Sequence, residues 1–187
     1  IGVQAGLESS HFSHGLGATF IDANGDGRPD LYVANDEDPN QLYVNVRWPG
    51  GAAADPAHLG FRFEERAAPE GVADPYAGMG VAPRITSTGA LELFVSNSRN
   101  EQSAAFTRSP GAAAFANARG EVDPALGTAF AGWGASWVDL QNSGSPALVL
   151  ATGAIPVKSL RTGAEALRVL APVAPARREA LGADQGV

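Results

Sequence analysis

The chain has 187 residues, 44% hydrophobic and 18% charged, which suits one globular domain with a sizeable core. Its net charge of −7 argues against a nucleic-acid partner, because phosphate recognition needs clustered Lys and Arg. No apolar run approaches the roughly 20 residues of a membrane-spanning helix, and without cysteine there are neither disulfides nor thiolate metal sites.

In chain order, residues 1–6 carry neither the basic start nor the apolar stretch of a secretion signal. A first residue other than Met is read as a sign of a trimmed or mature piece. Glycine (23) and proline (13) then divide the chain into short segments rich in Val, Leu, Phe, Tyr and Trp. Such segments suit strands better than helices.

The first two predicted strands contain Ala18-Thr19-Phe20-Ile21 and Leu31-Tyr32-Val33-Ala34. A third is expected at 41–46 and a fourth at 61–65, with 48–60 as a Gly/Ala/Pro-rich surface loop. Four short strands per unit of this size describe a β-propeller blade. The plan then repeats. Gly15-Leu16-Gly17-Ala18, Gly78-Met79-Gly80-Val81 and Gly132-Trp133-Gly134-Ala135 each open a strand, a turn and a second strand. The first and third copies align without a gap, Asp22 on Asp139, Gly27 on Gly144 and Pro29 on Pro146. The middle copy needs one deletion, which sets Gly89 on Gly27 and Glu92 on Asp30. Its third strand is expected at 103–108, followed by a weaker Ala-rich stretch. Residues 158–187 turn Ala-, Arg- and Leu-rich, with 165–170 compatible with a helix or a strand.

Between the first two strands lies Asp22-Ala23-Asn24-Gly25-Asp26-Gly27-Arg28-Pro29-Asp30. Oxygen-bearing side chains fall at positions 1, 3, 5 and 9, and glycines at 4 and 6 let the backbone curl. Calcium takes six to eight oxygen ligands from such alternating donors. An Asx/Gly hairpin turn could account for the glycines alone, but it gives no reason to crowd three mutually repelling carboxylates. An EF-hand would need a bidentate Glu at position 12, where Val33 stands in an apolar run. The expected ligands are therefore the side chains of Asp22, Asn24, Asp26 and Asp30 and the Arg28 carbonyl, with Ca2+ as the ion. The third copy keeps the turn but little charge, and the second has lost the cluster, so one site in three is expected.

The remaining motifs read as structural. No third glycine follows the G-x-G pairs at the dinucleotide-binding spacing, since Phe20, Pro83 and Trp137 stand there. Packing of crowded inner strands explains them better. His11, His14 and His58 are too scattered for a zinc site, and no nucleophile elbow is present. Glu64 and Glu65 are read as solvent-facing, and Trp133 and Trp137 as core residues on one strand face.

The loop at 22–30 resembles the calcium loop of FG-GAP/VCBS repeats, the blades of integrin-α-type propellers. The longer pattern is similar to the ASPIC/UnbV and cartilage-acidic-protein-like group. It covers 15–35, Asn40-Gln41-Leu42-Tyr43-Val44-Asn45, Phe61-Arg62-Phe63-Glu64-Glu65 with Gly71-Val72, both later G-x-G starts, and Ala151-Thr152-Gly153-Ala154-Ile155-Pro156. The resemblance implies an all-β fold of about three four-stranded blades, a fragment of a seven-bladed propeller. The whole of 1–187 would be one partial propeller domain, with units near 15–77, 78–131 and 132–187.

It also implies an extracellular, secreted or cell-surface setting and a binding or adhesion role with a protein or glycan partner, not an enzyme. Further blades in cis, or an assembly completing the ring, would cover the open ends. The alternative is the propeller part of a secreted carbohydrate-active or hydrolytic enzyme whose catalytic groups lie outside this stretch.

Overall fold

The structure, a computed structural model, describes residues 2–7, 13–122 and 131–153, all within one compact unit, Ile1–Gly153. The stretch 158–187, with its helix-or-strand segment, lies outside the described residues, as does His11. Among the described residues the regular structure is all β apart from two short 3-10 turns.

Ten strands among the described residues form three antiparallel sheets. The first joins β1 (His14–Ile21), β2 (Asp30–Asp36), β3 (Gln41–Arg47) and β4 (Phe61–Glu65) in sequence order. The second joins β5 (Gly78–Ile85), β6 (Leu91–Asn97), β7 (Ala104–Arg108) and β8 (Ala116–Asn117), likewise in order. The third pairs β9 (Ala131–Val138) with β10 (Ala147–Gly153). All four strands expected for the first unit are present, and 48–60 is an irregular connection holding one 3-10 turn. The weak Ala-rich stretch of the second unit supplies the two-residue strand β8.

The repeat is visible as a repeated register. In the first sheet Ile21 pairs Asp30, Gly17 pairs Ala34 and Gly15 pairs Asn35. In the third, Val138 pairs Ala147, Gly134 pairs Ala151 and Gly132 pairs Thr152. In the second, Arg84 pairs Glu92, Gly80 pairs Ser96 and Gly78 pairs Asn97. The same bulge interrupts each ladder, leaving Leu16, Met79 and Trp133 as the extra residue. This bulge also alters the tryptophan reading. Trp133 occupies it and is 47% exposed, whereas Trp137 packs on the second sheet and donates Nε1–H to the Ala82 carbonyl at 3.1 Å.

Strands β2 and β3 read as apolar runs because the first sheet is covered there on both faces. One face sends Ile21, Tyr32, Ala34, Leu42 and Val44 against Leu91, Leu93, Val95, Ala104 and Phe106 of the second sheet. The other sends Tyr43 and Phe63 against Ala5, with Leu7 and Leu59 alongside. Fully burying such side chains stabilises by about 1.5–3 kcal/mol each.

The segment between β4 and β5 ties these two sheets together. Val72 accepts the Tyr32 hydroxyl at 3.0 Å, Asp74 C=O accepts the Asn40 N–H at 2.9 Å, and Glu70 pairs with Arg108 at 2.6 Å. Asp74, whose carboxylate is almost fully buried, pairs with Arg119 and accepts from Asn97 Nδ2.

Glycine is required where the first strands of the three sheets abut. A Cβ on Gly17 would stand 2.4 Å from the Met79 carbonyl oxygen, and one on Gly80 would stand 2.8 Å from Gly134 Cα. A Cβ on Gly132 would stand 2.5 Å from Ser96 Cβ, whose hydroxyl donates to Gly132 C=O at 2.8 Å. The G-x-G pairs therefore serve close packing of β1 on β5 and β5 on β9.

Candidate metal centre

The loop at 22–30 curls because its backbone N–H groups converge on one carboxylate. Asp22 Oδ1 accepts from Gly25 N (2.8 Å) and Asp26 N (3.0 Å), and Oδ2 accepts from Gly27 N (2.8 Å). Gly25 and Gly27 take φ of 77° and 82°, the left-handed region a side chain resists. Asn24 Oδ1 accepts the Asp26 N–H at 2.9 Å, and Asp26 Oδ1 accepts the Arg28 N–H at 2.9 Å.

Asp30 opens β2 and is buried. Its Oδ2 accepts from Ala23 N at 2.9 Å and its Oδ1 from Asn45 N at 2.7 Å. Burial pushes the Asp30 carboxyl above its ordinary value. The two N–H groups pull it back, and the negative charges of Asp26 and Asp22 add to the rise. At Asp26 burial also pushes upward, but the Asn24 amide, the Arg28 N–H and the Arg28 charge outweigh it, so this carboxyl lies below its ordinary value.

All five expected ligand residues thus belong to one small loop, yet their carboxylates do not converge on a common centre. Among the described residues no three His, Asp or Glu side chains are grouped to hold a metal ion. Arg28 occupies Asp26 instead, its guanidinium 2.5 Å from Oδ2, while its Nε donates to Asn45 C=O at 2.8 Å.

The donor chemistry nevertheless suits a hard cation. Every donor is an oxygen, and Asp22 Oδ2, Asn24 Oδ1, Asp26 Oδ1 and both Asp30 oxygens each accept one bond, leaving a lone pair. Asn45 adds an orphan. Its Nδ2 donates to Pro29 C=O at 3.2 Å, while its Oδ1 is buried without a hydrogen-bond partner among the described residues. Such an atom is costly unless something satisfies it.

Asn45 escaped the sequence reading, which treated 41–46 only as a strand. The available signal was an amide among the apolar residues of that strand, where a buried polar group calls for partners.

The third hairpin preserves this scaffold with little of its charge. Asp139 accepts from Ser143 N (3.0 Å) and Gly144 N (2.7 Å), as Asp22 accepts from Asp26 N and Gly27 N. Asn142 takes the positive φ of Gly25 (53°), and Gly144 that of Gly27 (80°). In the second hairpin Gly89 keeps a φ of 81°, and Glu92 pairs with Arg84 at 2.5 Å.

Elsewhere, Arg84 also stacks 3.8 Å over Trp137, beside a cleft of about 270 Å³ lined by Leu93, Phe106 and Leu148. His14 lies 3.5 Å from Asp38, and His58 falls in the 48–60 connection. Glu64 pairs with Arg66 at 2.6 Å. Exposed Glu65 still accepts the Ala67 N–H at 2.8 Å, capping the end of β4.

No protein-family model matches the chain, and no curated protein matches it.

Proposed function

We propose that this chain is a run of β-propeller blades carrying one structural calcium site, serving as a binding or adhesion module of an extracellular or cell-surface protein. The observation that carries the reading is the threefold recurrence of one hairpin register, with the opening strands of successive sheets abutting through glycine. Calcium would use Asp22, Asn24, Asp26 and Asp30 with the Arg28 carbonyl, neutralising the carboxylates and locking the turn between β1 and β2.

The bulge residues bear on further blades or an assembly completing the ring. Met79, in the middle sheet, is buried, whereas its counterparts Leu16 and Trp133 are about half exposed, and Phe20 of β1 is 65% exposed. Neighbouring sheets on both sides are what covers such a position. Calcium at ten times its dissociation constant stabilises the fold by about 1.4 kcal/mol, enough to support a marginal domain without acting as a switch.

Calorimetric titration with calcium, on the wild type and on Asp26→Ala, tests the metal reading. Heat and a raised melting temperature are expected in the wild type and weakened in the variant, and a wild type showing neither refutes the site. A protein and glycan array run beside a hydrolase and lyase panel tests the binding role. Turnover abolished by a substitution in this chain would overturn it.

A further inference from the structure

The side chain at position 7 of the loop lies on one of the loop's own carboxylates. Arg28 engages both oxygens of Asp26, Oδ1 through its backbone N–H and Oδ2 through its guanidinium. Its Nε is anchored on Asn45 C=O at 2.8 Å, which fixes the positive charge over the loop. The Asn45 amide lies against the same loop through Pro29, with its Oδ1 buried and unpartnered among the described residues.

We propose that Arg28 is the resident counter-charge of this loop and competes with a divalent cation for Asp26. The inference rests on the calcium reading above and adds to it a positioning residue that weakens affinity while stabilising the empty loop. Asp26 Oδ2 accepts from the guanidinium and from Asn24 Nδ2 (2.8 Å), so a divalent ion would reach this carboxylate through Oδ1 with the guanidinium close by, and at such separations the two cations repel. Calcium therefore takes Asp26 against that repulsion, and more tightly as the guanidinium leaves it.

The third hairpin supplies an internal comparison. Ser143 and Ser145 stand where Asp26 and Arg28 do, and Ser145 N donates to Ser143 Oγ at 3.3 Å, as Arg28 N donates to Asp26. There the carboxylate and the guanidinium are absent together. The turn needs neither charge to form, which marks the Arg28 side chain as a partner of the carboxylate and not of the turn.

The pair is partly exposed, 35% at Arg28 and 26% at Asp26, so water screens it and the effect is moderate. The test is calcium titration by calorimetry after chelation, on the wild type, Arg28→Gln and Arg28→Lys, with melting curves in chelator. Arg28→Gln is expected to bind calcium about fivefold tighter and to melt lower without it, while Arg28→Lys stays near wild type. Wild-type binding with equal or weaker binding by Arg28→Gln overturns this inference and leaves the calcium reading intact. Absence of binding in all three proteins overturns both. Should Arg28→Gln fail to fold, the Arg28 side-chain Nε–H resonance of the wild type decides the matter. It is expected to shift on calcium saturation, and an unmoved resonance refutes the competition.

Discussion

Asp30 and Asn45 join the loop to the strand beyond its neighbour. The Asp30 carboxylate accepts the Asn45 N–H at 2.7 Å with one oxygen and the Ala23 N–H at 2.9 Å with the other. Asp30 is fully buried, so both donors depend on it. Asp30→Ala leaves two N–H groups without an acceptor and is expected to cost about 3 kcal/mol. Asp30→Asn can accept only on one side and is expected to cost about half as much. Urea unfolding in calcium-free buffer measures both, and losses under about 0.5 kcal/mol, the range of surface substitutions, would refute the role.

The strand plan was legible because the glycine pairs and the apolar runs recur together, so each hairpin supported the alignment of the others. Even the deletion placing Glu92 on Asp30 reappears in the register, where Arg84 pairs Glu92 as Ile21 pairs Asp30. Trp133 was misread because period-2 alternation assumes an uninterrupted ladder, and a bulge removes one residue from that count. Within the site the spacing of oxygens was legible, but the occupation of Asp26 by Arg28 was not. A residue nominated for its backbone carbonyl says nothing of where its side chain turns. Asn45 was hidden for a different reason: it reaches the loop through strand pairing, a contact no local window contains.

The glycines that open each sheet make a paired prediction. An added Cβ on Gly17 meets the Met79 carbonyl oxygen at 2.4 Å, whereas one on Gly134 meets only Ala151 Cβ at 3.7 Å. Gly17→Ala forces backbone to move and is expected to cost about 1–3 kcal/mol. Gly134→Ala is expected to fall within about 0.5 kcal/mol of wild type. Denaturant unfolding of the two side by side checks the contrast, and equal losses would count against close packing of β1 on β5.

Asp139 gives a pH prediction separate from the metal loop. The N–H groups of Ser143 and Gly144 hold its carboxyl below the ordinary value of 3.8. A lowered folded-state pKa contributes stability that is present above the unfolded value and lost as pH falls through the folded one. In chelator, wild-type stability is therefore expected to decline below about pH 4, and Asp139→Asn to show a shallower decline over the same range. Identical slopes in acid titrations of the two proteins would remove Asp139 from the account.

The pair of Asp74 and Arg119 should behave as a coupled unit. The side chains are 4% and 17% exposed, Asp74 also accepts from Asn97 Nδ2 at 3.0 Å, and the guanidinium lies 4.7 Å over the Tyr76 ring. Removing one partner strands the other charge away from water. Asp74→Ala is accordingly expected to cost about 3–5 kcal/mol. Arg119→Ala, introduced into that background, is expected to cost little further, because the stranded charge is then gone. A double-mutant cycle by urea unfolding measures the coupling, expected at about 1–3 kcal/mol. Simple additivity of the two losses would show that the segment between β4 and β5 is held to the second sheet by its other contacts, Glu70 to Arg108 among them, and not by this pair.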